Sequence, residues 1–347
     1  MTAGALAPLA APALAAGRER LVLAASWGRG QTGVIDSAQY CADMITALSD
    51  GRLEVHVKAA GELFGPFDVF DATSDGRADL YHSADYYFLD KHPGFAFYTT
   101  VPFGMTATEF GDWYHHRGGA ALHDELGERF NLKTFPAGNT GAQAGGWFRK
   151  EIDAVSDFKG LRFRMPGLGG EVLRNLGVDV VTLPGTEVYQ ALSTGALDGT
   201  EWIGPWADEK AGFQEITKIY YAAGFHEPGT TFTLGVNRKR FQSLKPSDQK
   251  IIEAAASASN QWTWHLFNSR NGDSLARLAA NGVTVKTFPN EVWDAFARET
   301  KEVLNRYASD ELFSRINESY QASMRNSTAW SLKSSTVFVL QRNRVLG

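Results

Sequence analysis

A chain of 347 residues is long enough for two compact α/β lobes and too long for one simple core. Hydrophobic residues at 44% and charged residues at 21% exclude extensive disorder, and a net charge of −5 with pI ≈ 5.9 offers no general attraction to nucleic acid or anionic lipid. A single cysteine, Cys41, excludes an internal disulfide framework, and no apolar run approaches the roughly 20 residues of a spanning helix.

Residues 1–17 are Ala/Pro-rich, uncharged and without helical period. They end in Ala13-Leu14-Ala15, a small-x-small triplet of signal-peptidase form, but lack a basic n-region. The expectation is an export-signal remnant, or else a disordered leader, with the ordered chain starting near Arg18. A buried strand is predicted over 21–26, then a Gly-rich turn, a helix over 34–48 and an alternating strand over 53–58. Strand–helix–strand order implies a parallel sheet with crossovers. Helical period returns over 66–73 and across 109–130, and strand-like segments follow at 147–149, 161–165, 178–183 and 231–236. One long helix is expected over 246–280, a strand over 283–288, a helix over 291–325 and an amphipathic stretch over 330–341. No low-complexity linker interrupts the body.

The chain echoes itself. Residues 72–79 (ATSDGRAD) and 191–198 (ALSTGALD) share the pattern A-x-S-x-G-x-x-D, each after a helix and before a strand. Gly at such a place caps a helix, and His82 and Glu201 then occupy matching positions beyond the two Asp residues. Two similar lobes facing each other across a cleft are the architecture this favours.

Four motifs bear on chemistry. Gly28-Arg-Gly30-Gln-Thr-Gly33 has the G-x-G-x-x-G spacing of a dinucleotide turn between strand and helix. The acidic residue expected at the end of the second strand is missing, since Glu62 comes late and in a turn, and bulky Trp27 crowds the loop. Pro166-Gly-Leu-Gly-Gly170 opens a helix directly after Leu161-Arg-Phe-Arg164, placing the Arg164 guanidinium near free N–H groups suited to an anion. Asp198-Gly-Thr-Glu201-Trp202-Ile-Gly-Pro205 sets a carboxylate among aromatics, where it needs a counter-charge or a cation. Gln143 and Glu227, each in a Gly-containing turn, add further oxygens, and an oxygen-only set suits Na⁺, Ca²⁺ or Mg²⁺ rather than zinc or copper. His115-His116 lacks the spacing of a helical metal pair and reads as helix surface, and Cys41 reads as core.

With these motifs in view, the chain resembles the solute-binding proteins of tripartite ATP-independent periplasmic (TRAP) transporters, and within them the branch that binds 2-oxo acids such as pyruvate, with relatives that bind lactate with calcium. The segments that carry the resemblance are Asn139-Thr-Gly-Ala-Gln143-Ala-Gly-Gly-Trp-Phe-Arg-Lys-Glu151, Gly160-Leu-Arg-Phe-Arg164, Gly195-Ala-Leu-Asp-Gly-Thr-Glu201-Trp202-Ile-Gly-Pro205 and Asp208-Glu-Lys-Ala-Gly-Phe213. It implies a bilobed periplasmic-binding-protein-like α/β fold. Lobe I would comprise residues 18–137 with about 231–282, lobe II residues 138–230, and residues 283–347 would form a strand and helices packed on the lobes, a candidate dimerisation element. It implies that Arg164 clamps a substrate carboxylate, with Gln143, Trp202, Tyr86, Phe225 and Asn139 completing the substrate site. Gln143, Glu201, the Trp202 main-chain carbonyl and Glu227 would hold a Na⁺ or Ca²⁺ bound with the substrate. With Glu201 as the sole carboxylate ligand Na⁺ neutralises the site, and with Glu227 added a divalent ion does. Phe225-His226 stands where the 2-oxo-acid binders carry two bulky aromatics, so the branch pattern is altered beside the pocket.

The implied function is periplasmic capture of a small 2-oxo or 2-hydroxy monocarboxylate by lobe closure, without catalysis, and delivery to the TRAP membrane permease. The alternatives are a metal-dependent enzyme acting on 2-oxo acids, with His82 or His226 as base, and an NAD-dependent oxidoreductase using the 28–33 turn.

Overall fold

The computed structural model describes residues 18–347, so the export-signal expectation for residues 1–17 lies outside the described residues. The first half of the chain runs β1 (Glu19–Ala25), α1 (Val34–Leu48), β2 (Leu53–Lys58), α2 (Val69–Ser74), β3 (Leu80–Ser83), α3 (Ala107–His116), α4 (Gly119–Glu128) and β4 (Leu132–Asn139). Next come β5 (Gly146–Phe148), β6 (Arg162–Arg164), α5 (Gly167–Asn175), β7 (Asp179–Val181), α6 (Gly185–Ser193), β8 (Gly199–Thr200), α7 (Pro205–Ala211) and β9 (Ile219–Tyr221). The chain closes with β10 (Thr231–Asn237), α8 (Arg238–Ser243), α9 (Pro246–Ala280), β11 (Thr284–Lys286), α10 (Asn290–Arg306), α11 (Glu311–Ser331) and α12 (Ser335–Leu346).

Two sheets result, ordered β2-β1-β3-β10-β4 and β11-β9-β5-β8-β6-β7. In the first, β1 pairs in parallel with β2 and β3, and antiparallel β10 follows β3. In the second, β6 pairs in parallel with β7 and β8, and antiparallel β5 follows β8. The two halves are therefore the same unit built twice, and the 72–79/191–198 echo is its joint. Gly76 and Gly195 both take a left-handed conformation, at φ 80 and φ 76. Beyond them, Asp79 accepts a hydrogen bond from Val22 N (2.8 Å) on β1, and Asp198 accepts one from Arg162 N (2.9 Å) on β6. Each Asp thus ties its own strand to the strand that opened the unit. The echo consequently brings His82 to the end of one sheet and Glu201 to the matching end of the other.

The backbone passes between the sheets at residues 140–145, from β4 to β5, and again at 222–230, from β9 to β10. Both passages carry predicted site residues. The 35-residue α9, about 52 Å long at 1.5 Å per residue, lies against β4 and α1 on one side and against α7 on the other, spanning both lobes. Pro246 at its first turn and Gly282 (φ 82) just past its end make both of its boundaries readable from sequence.

Five segments differ from expectation. The 109–130 stretch is two helices, because Gly118 at φ 91 ends α3 and starts α4 on a new axis. The 291–325 stretch is also two, with the Asp310 carboxylate accepting from Phe313 N (2.7 Å) to cap α11. Strand β4 carries Pro136 and Gly138, which obscure its alternation; as the edge strand of its sheet, and beside a bulge in β10, it tolerates the missing N–H. The three-residue β9 had no sequence signal, and β11 adds to the second sheet rather than packing on it from outside.

Gly146 at φ 117 opens β5, and a Cβ there would stand 2.6 Å from the Thr200 carbonyl oxygen. Gly146→Ala is therefore expected to destabilise by about 2 kcal/mol or more, read as a lower urea midpoint. An unchanged midpoint would mean that the β5–β8 approach is looser than described.

Candidate functional site

The two passages between the lobes are stitched to each other and to the ends of the second sheet. Gln143 N donates to the Glu227 carbonyl (2.9 Å), Gly224 N donates to the Gln143 carbonyl (3.1 Å), and Ala144 N donates to the Ile203 carbonyl (2.9 Å). Glu201 N in turn donates to the Arg164 carbonyl (3.3 Å) at the end of β6. Four segments far apart in sequence are thus held side by side by main-chain bonds, and the side chains they carry converge.

Arg164, Glu201, His226, Glu227 and Gln143 are each no more than 4% exposed, so their charges are felt at low dielectric. The Arg164 guanidinium meets the Glu201 carboxylate directly, donates through Nε to the Leu183 carbonyl (3.1 Å) and through Nη2 to the Tyr87 hydroxyl (3.4 Å), and lies over the Trp202 ring at 5.6 Å. Burial, the largest single influence, opposes its charge, but Glu201 first, then Tyr87, Tyr86 and Glu227 together more than offset this and hold its pKa above the ordinary guanidinium value. Glu227 accepts from the Thr230 hydroxyl (2.5 Å); burial first, and the Glu201 charge second, push its carboxyl above the usual range. Gln143 donates through Nε2 to the Thr140 hydroxyl (3.1 Å).

Several polar atoms at this point are buried without a hydrogen-bond partner: Gln143 Oε1, Glu201 Oε2 and both ring nitrogens of His226. An unsatisfied buried acceptor costs about 1–3 kcal/mol, so a cluster of acceptors marks a place built for a cation. One atom each from Glu201, His226 and Glu227 lies within 4.8 Å of the others. The donor set fits a cation.

The sequence-predicted residues divide. Gln143, Arg164, Glu201, Trp202 and Glu227 are brought together. Tyr86 lines a narrow crevice with Thr100, Gly167, Gly169, His226 and Glu227, and Tyr87, which sequence reasoning passed over, is the tyrosine bonded to Arg164. Asn139 is not presented to the site: its Oδ1 accepts from Gly141 N (2.7 Å) and its Nδ2 donates to the Thr231 hydroxyl (3.0 Å), so it pins the turn that carries Gln143. Phe225 also turns away, its ring stacked on Phe296 of α10 at 3.9 Å, and its neighbour His226 faces the carboxylates instead. The glycines at 167–170 serve close packing, since a Cβ on Gly167 would press on the Tyr86 ring and one on Gly169 on His226.

The 28–33 turn is a packing turn. A Cβ at Gly33 would meet Phe267 at 2.5 Å, the α1 N-terminus is capped by Asp36 where a phosphate would sit, and Glu62 is paired with Arg29. His82 accepts from Trp27 Nε1 (2.8 Å) inside the first lobe, and burial pushes it down to about 4, leaving a neutral, weakly basic imidazole already engaged with Trp27.

The family model for bacterial extracellular solute-binding protein, family 7 (DctP), matches residues 24–310. The chain belongs to this family. It is a DctP-type TRAP solute-binding protein, acting on the periplasmic side of the membrane. This family 7 protein is 38% identical over 307 residues, 88% of its own length and 84% of the relative's, to a monocarboxylate 2-oxoacid-binding periplasmic protein of Nostoc sp.. Among solved structures it resembles a TRAP solute-binding protein of Bordetella bronchiseptica, a mixed-occupancy dimer with copurified calcium and picolinate (30% identity, TM-score 0.93, 95% and 98% of the two chains). It also resembles TRAP proteins of Pseudoalteromonas atlantica with sodium and pyruvate (35%, TM-score 0.90, 93% and 98%) and of Colwellia psychrerythraea with calcium and pyruvate (34%, TM-score 0.90, 93% and 99%). The two-lobed fold expected from sequence is the fold of these proteins.

Proposed function

We propose that this protein captures a small 2-oxo or 2-hydroxy monocarboxylate together with a cation at the Arg164–Glu201 site and hands it to a TRAP permease without transforming it. The observation that carries this reading is the convergence of one buried guanidinium with unpartnered buried acceptors on the two passages between the lobes. The pyruvate-bound neighbours and the 2-oxoacid-binding relative support it.

Arg164 supplies two parallel N–H donors, the geometry a carboxylate accepts and a lysine does not provide. In the absence of substrate it is neutralised by Glu201; a substrate carboxylate takes over that pairing and frees Glu201 to face the cation. Gln143 Oε1, the Trp202 carbonyl and Glu227 complete the ligand set. A bound cation supplies positive charge shared between these oxygens and the substrate. Because Gln143 and Glu227 ride on the segments that join the lobes, holding them together favours the closed arrangement, in which Tyr86 and Tyr87 cover the site from the first lobe.

In a thermal-shift panel of stripped protein, pyruvate and lactate are expected to raise the melting temperature only with sodium or a divalent ion present, and dicarboxylates not at all. At about 100 times the dissociation constant the gain is roughly 2.7 kcal/mol, several degrees. No shift with any monocarboxylate would remove the substrate assignment. Pyruvate recovered unchanged after prolonged incubation separates capture from the enzymatic alternatives.

The same reading extends to a homodimer formed through α12. That helix has no buried residue, and Phe338, Leu340, Val345 and Leu346, distributed around it, are 64–81% exposed, apolar surface that a second copy would cover; the Bordetella relative is a dimer. Removing residues 335–347 is expected to convert a dimer to a monomer in light scattering while leaving pyruvate affinity unchanged. A monomeric full chain would overturn this.

A further inference from the structure

We propose that His226 is itself a metal ligand, and that with Glu201, Glu227 and Gln143 it makes a mixed nitrogen–oxygen site selective for first-row transition dications over the sodium or calcium held by the structural neighbours. The assignment rests on the monocarboxylate reading above and specifies its cation.

The placement of His226 argues for this role. It is 2% exposed, and neither ring nitrogen has a hydrogen-bond partner. Its Nε2 lies 3.5 Å from Glu201 Oε2, itself unpartnered, at a separation too long for a good hydrogen bond. Two facing polar atoms, His226 Nε2 and Glu201 Oε2, buried and bonded to nothing are costly unless a common partner joins them. The ring is also sterically held: a Cβ on Gly169 would stand 2.7 Å from the His226 Cβ, and one on Gly224 would stand 2.8 Å from its Cε1. Two glycines therefore make room for this imidazole and fix its direction.

Distance and charge agree with a dication. Two ligands of one ion, each at about 2.1 Å, stand at most about 4.2 Å apart. Three ligands cannot all stand opposite one another, so the Glu201, His226 and Glu227 donors, within 4.8 Å of one another, need to draw in by about an ångström to share one ion. Arg164 contributes one positive charge and the two carboxylates two negative; a substrate carboxylate brings the sum to −2, and a dication with a neutral imidazole returns it to zero. Calcium and sodium take oxygen ligands, whereas imidazole nitrogen suits the later first-row dications, with affinity rising from manganese through cobalt and nickel to copper and falling back at zinc. The same charge count leaves the choice among dications to the nitrogen.

The test uses the full chain without a polyhistidine tag, stripped of metal and ligand and titrated calorimetrically with Ca²⁺, Mn²⁺, Co²⁺ and Ni²⁺ in saturating pyruvate. Cobalt and nickel are expected to bind at least about tenfold more tightly than calcium, the cobalt complex showing the visible bands of a nitrogen-ligated ion. His226→Gln is expected to erase that preference, lowering cobalt affinity by about tenfold or more relative to calcium. The wild-type ion order and cobalt spectrum stand as readouts even where the variant folds poorly. Calcium-dependent pyruvate binding with no gain from cobalt or nickel would overturn the histidine ligand alone. Absence of pyruvate binding with every ion would overturn the underlying monocarboxylate reading and this assignment with it.

Discussion

Arg164→Lys is expected to cost at least about 2–5 kcal/mol of pyruvate affinity, roughly 30-fold or more, in calorimetric titration. The reason lies in geometry rather than charge. Arg164 spends Nε on the Leu183 carbonyl and keeps its two terminal nitrogens facing Glu201 and Tyr87, so the fork is fixed in place for a planar carboxylate. A lysine ammonium retains the charge but offers no paired donors and no hydrogen bond back to Leu183. Arg164→Met has a second consequence. It leaves Glu201 at 0% exposure without a counter-charge, and removing one partner of a buried pair costs about 3–5 kcal/mol of folding stability. The lysine variant is therefore the clean binding test, and the methionine variant should lower the urea midpoint as well. Wild-type affinity in the lysine variant would place the carboxylate elsewhere.

Glu201→Gln should uncouple the acid from the cation. Glu201 is the one carboxylate that touches Arg164 and also offers an unpartnered oxygen to the cation side, so it serves both states of the site. The amide keeps the shape and one acceptor but removes the negative charge that a cation needs. Pyruvate binding in this variant is expected to weaken by at least about tenfold and to become indifferent to chelator, sodium or calcium. Cation dependence equal to that of the wild type would assign the ion to Glu227 and Gln143 alone.

Much of this arrangement was legible in the sequence because it rests on strong local signals. The ends of α1 and α9 are set by glycine and proline, and the A-x-S-x-G-x-x-D echo marks a joint used twice, down to the Asp79 and Asp198 bonds to neighbouring strands. Arg164, Glu201, Gln143 and Glu227 stood out as polar groups in apolar or glycine-rich settings at strand ends. What was not legible depends on direction and on distant partners. In the 224–228 passage Phe225 and His226 are adjacent, and packing against Phe296 decides which faces the carboxylates. The Tyr86-Tyr87 pair presents the same ambiguity, and the Arg164 bond falls to Tyr87. Asn139 looked like a pocket residue because it precedes Gln143, yet its amide is consumed by Gly141 and Thr231, a partner 92 residues away. Strand β4 was hidden by Pro136, tolerable only because of its edge position.

The central claim is that acid and cation bind as one unit at the Arg164–Glu201 site. Its most direct measurement is a calorimetric titration of pyruvate into stripped protein, first with chelator in sodium-free buffer and then with each cation restored in turn. The account predicts little or no heat under chelator and saturable one-to-one binding once a cation is present. Equal affinity with and without any cation would contradict it, leaving Arg164 as an anion clamp and the buried oxygens of Gln143, Glu201 and Glu227 without the role assigned to them.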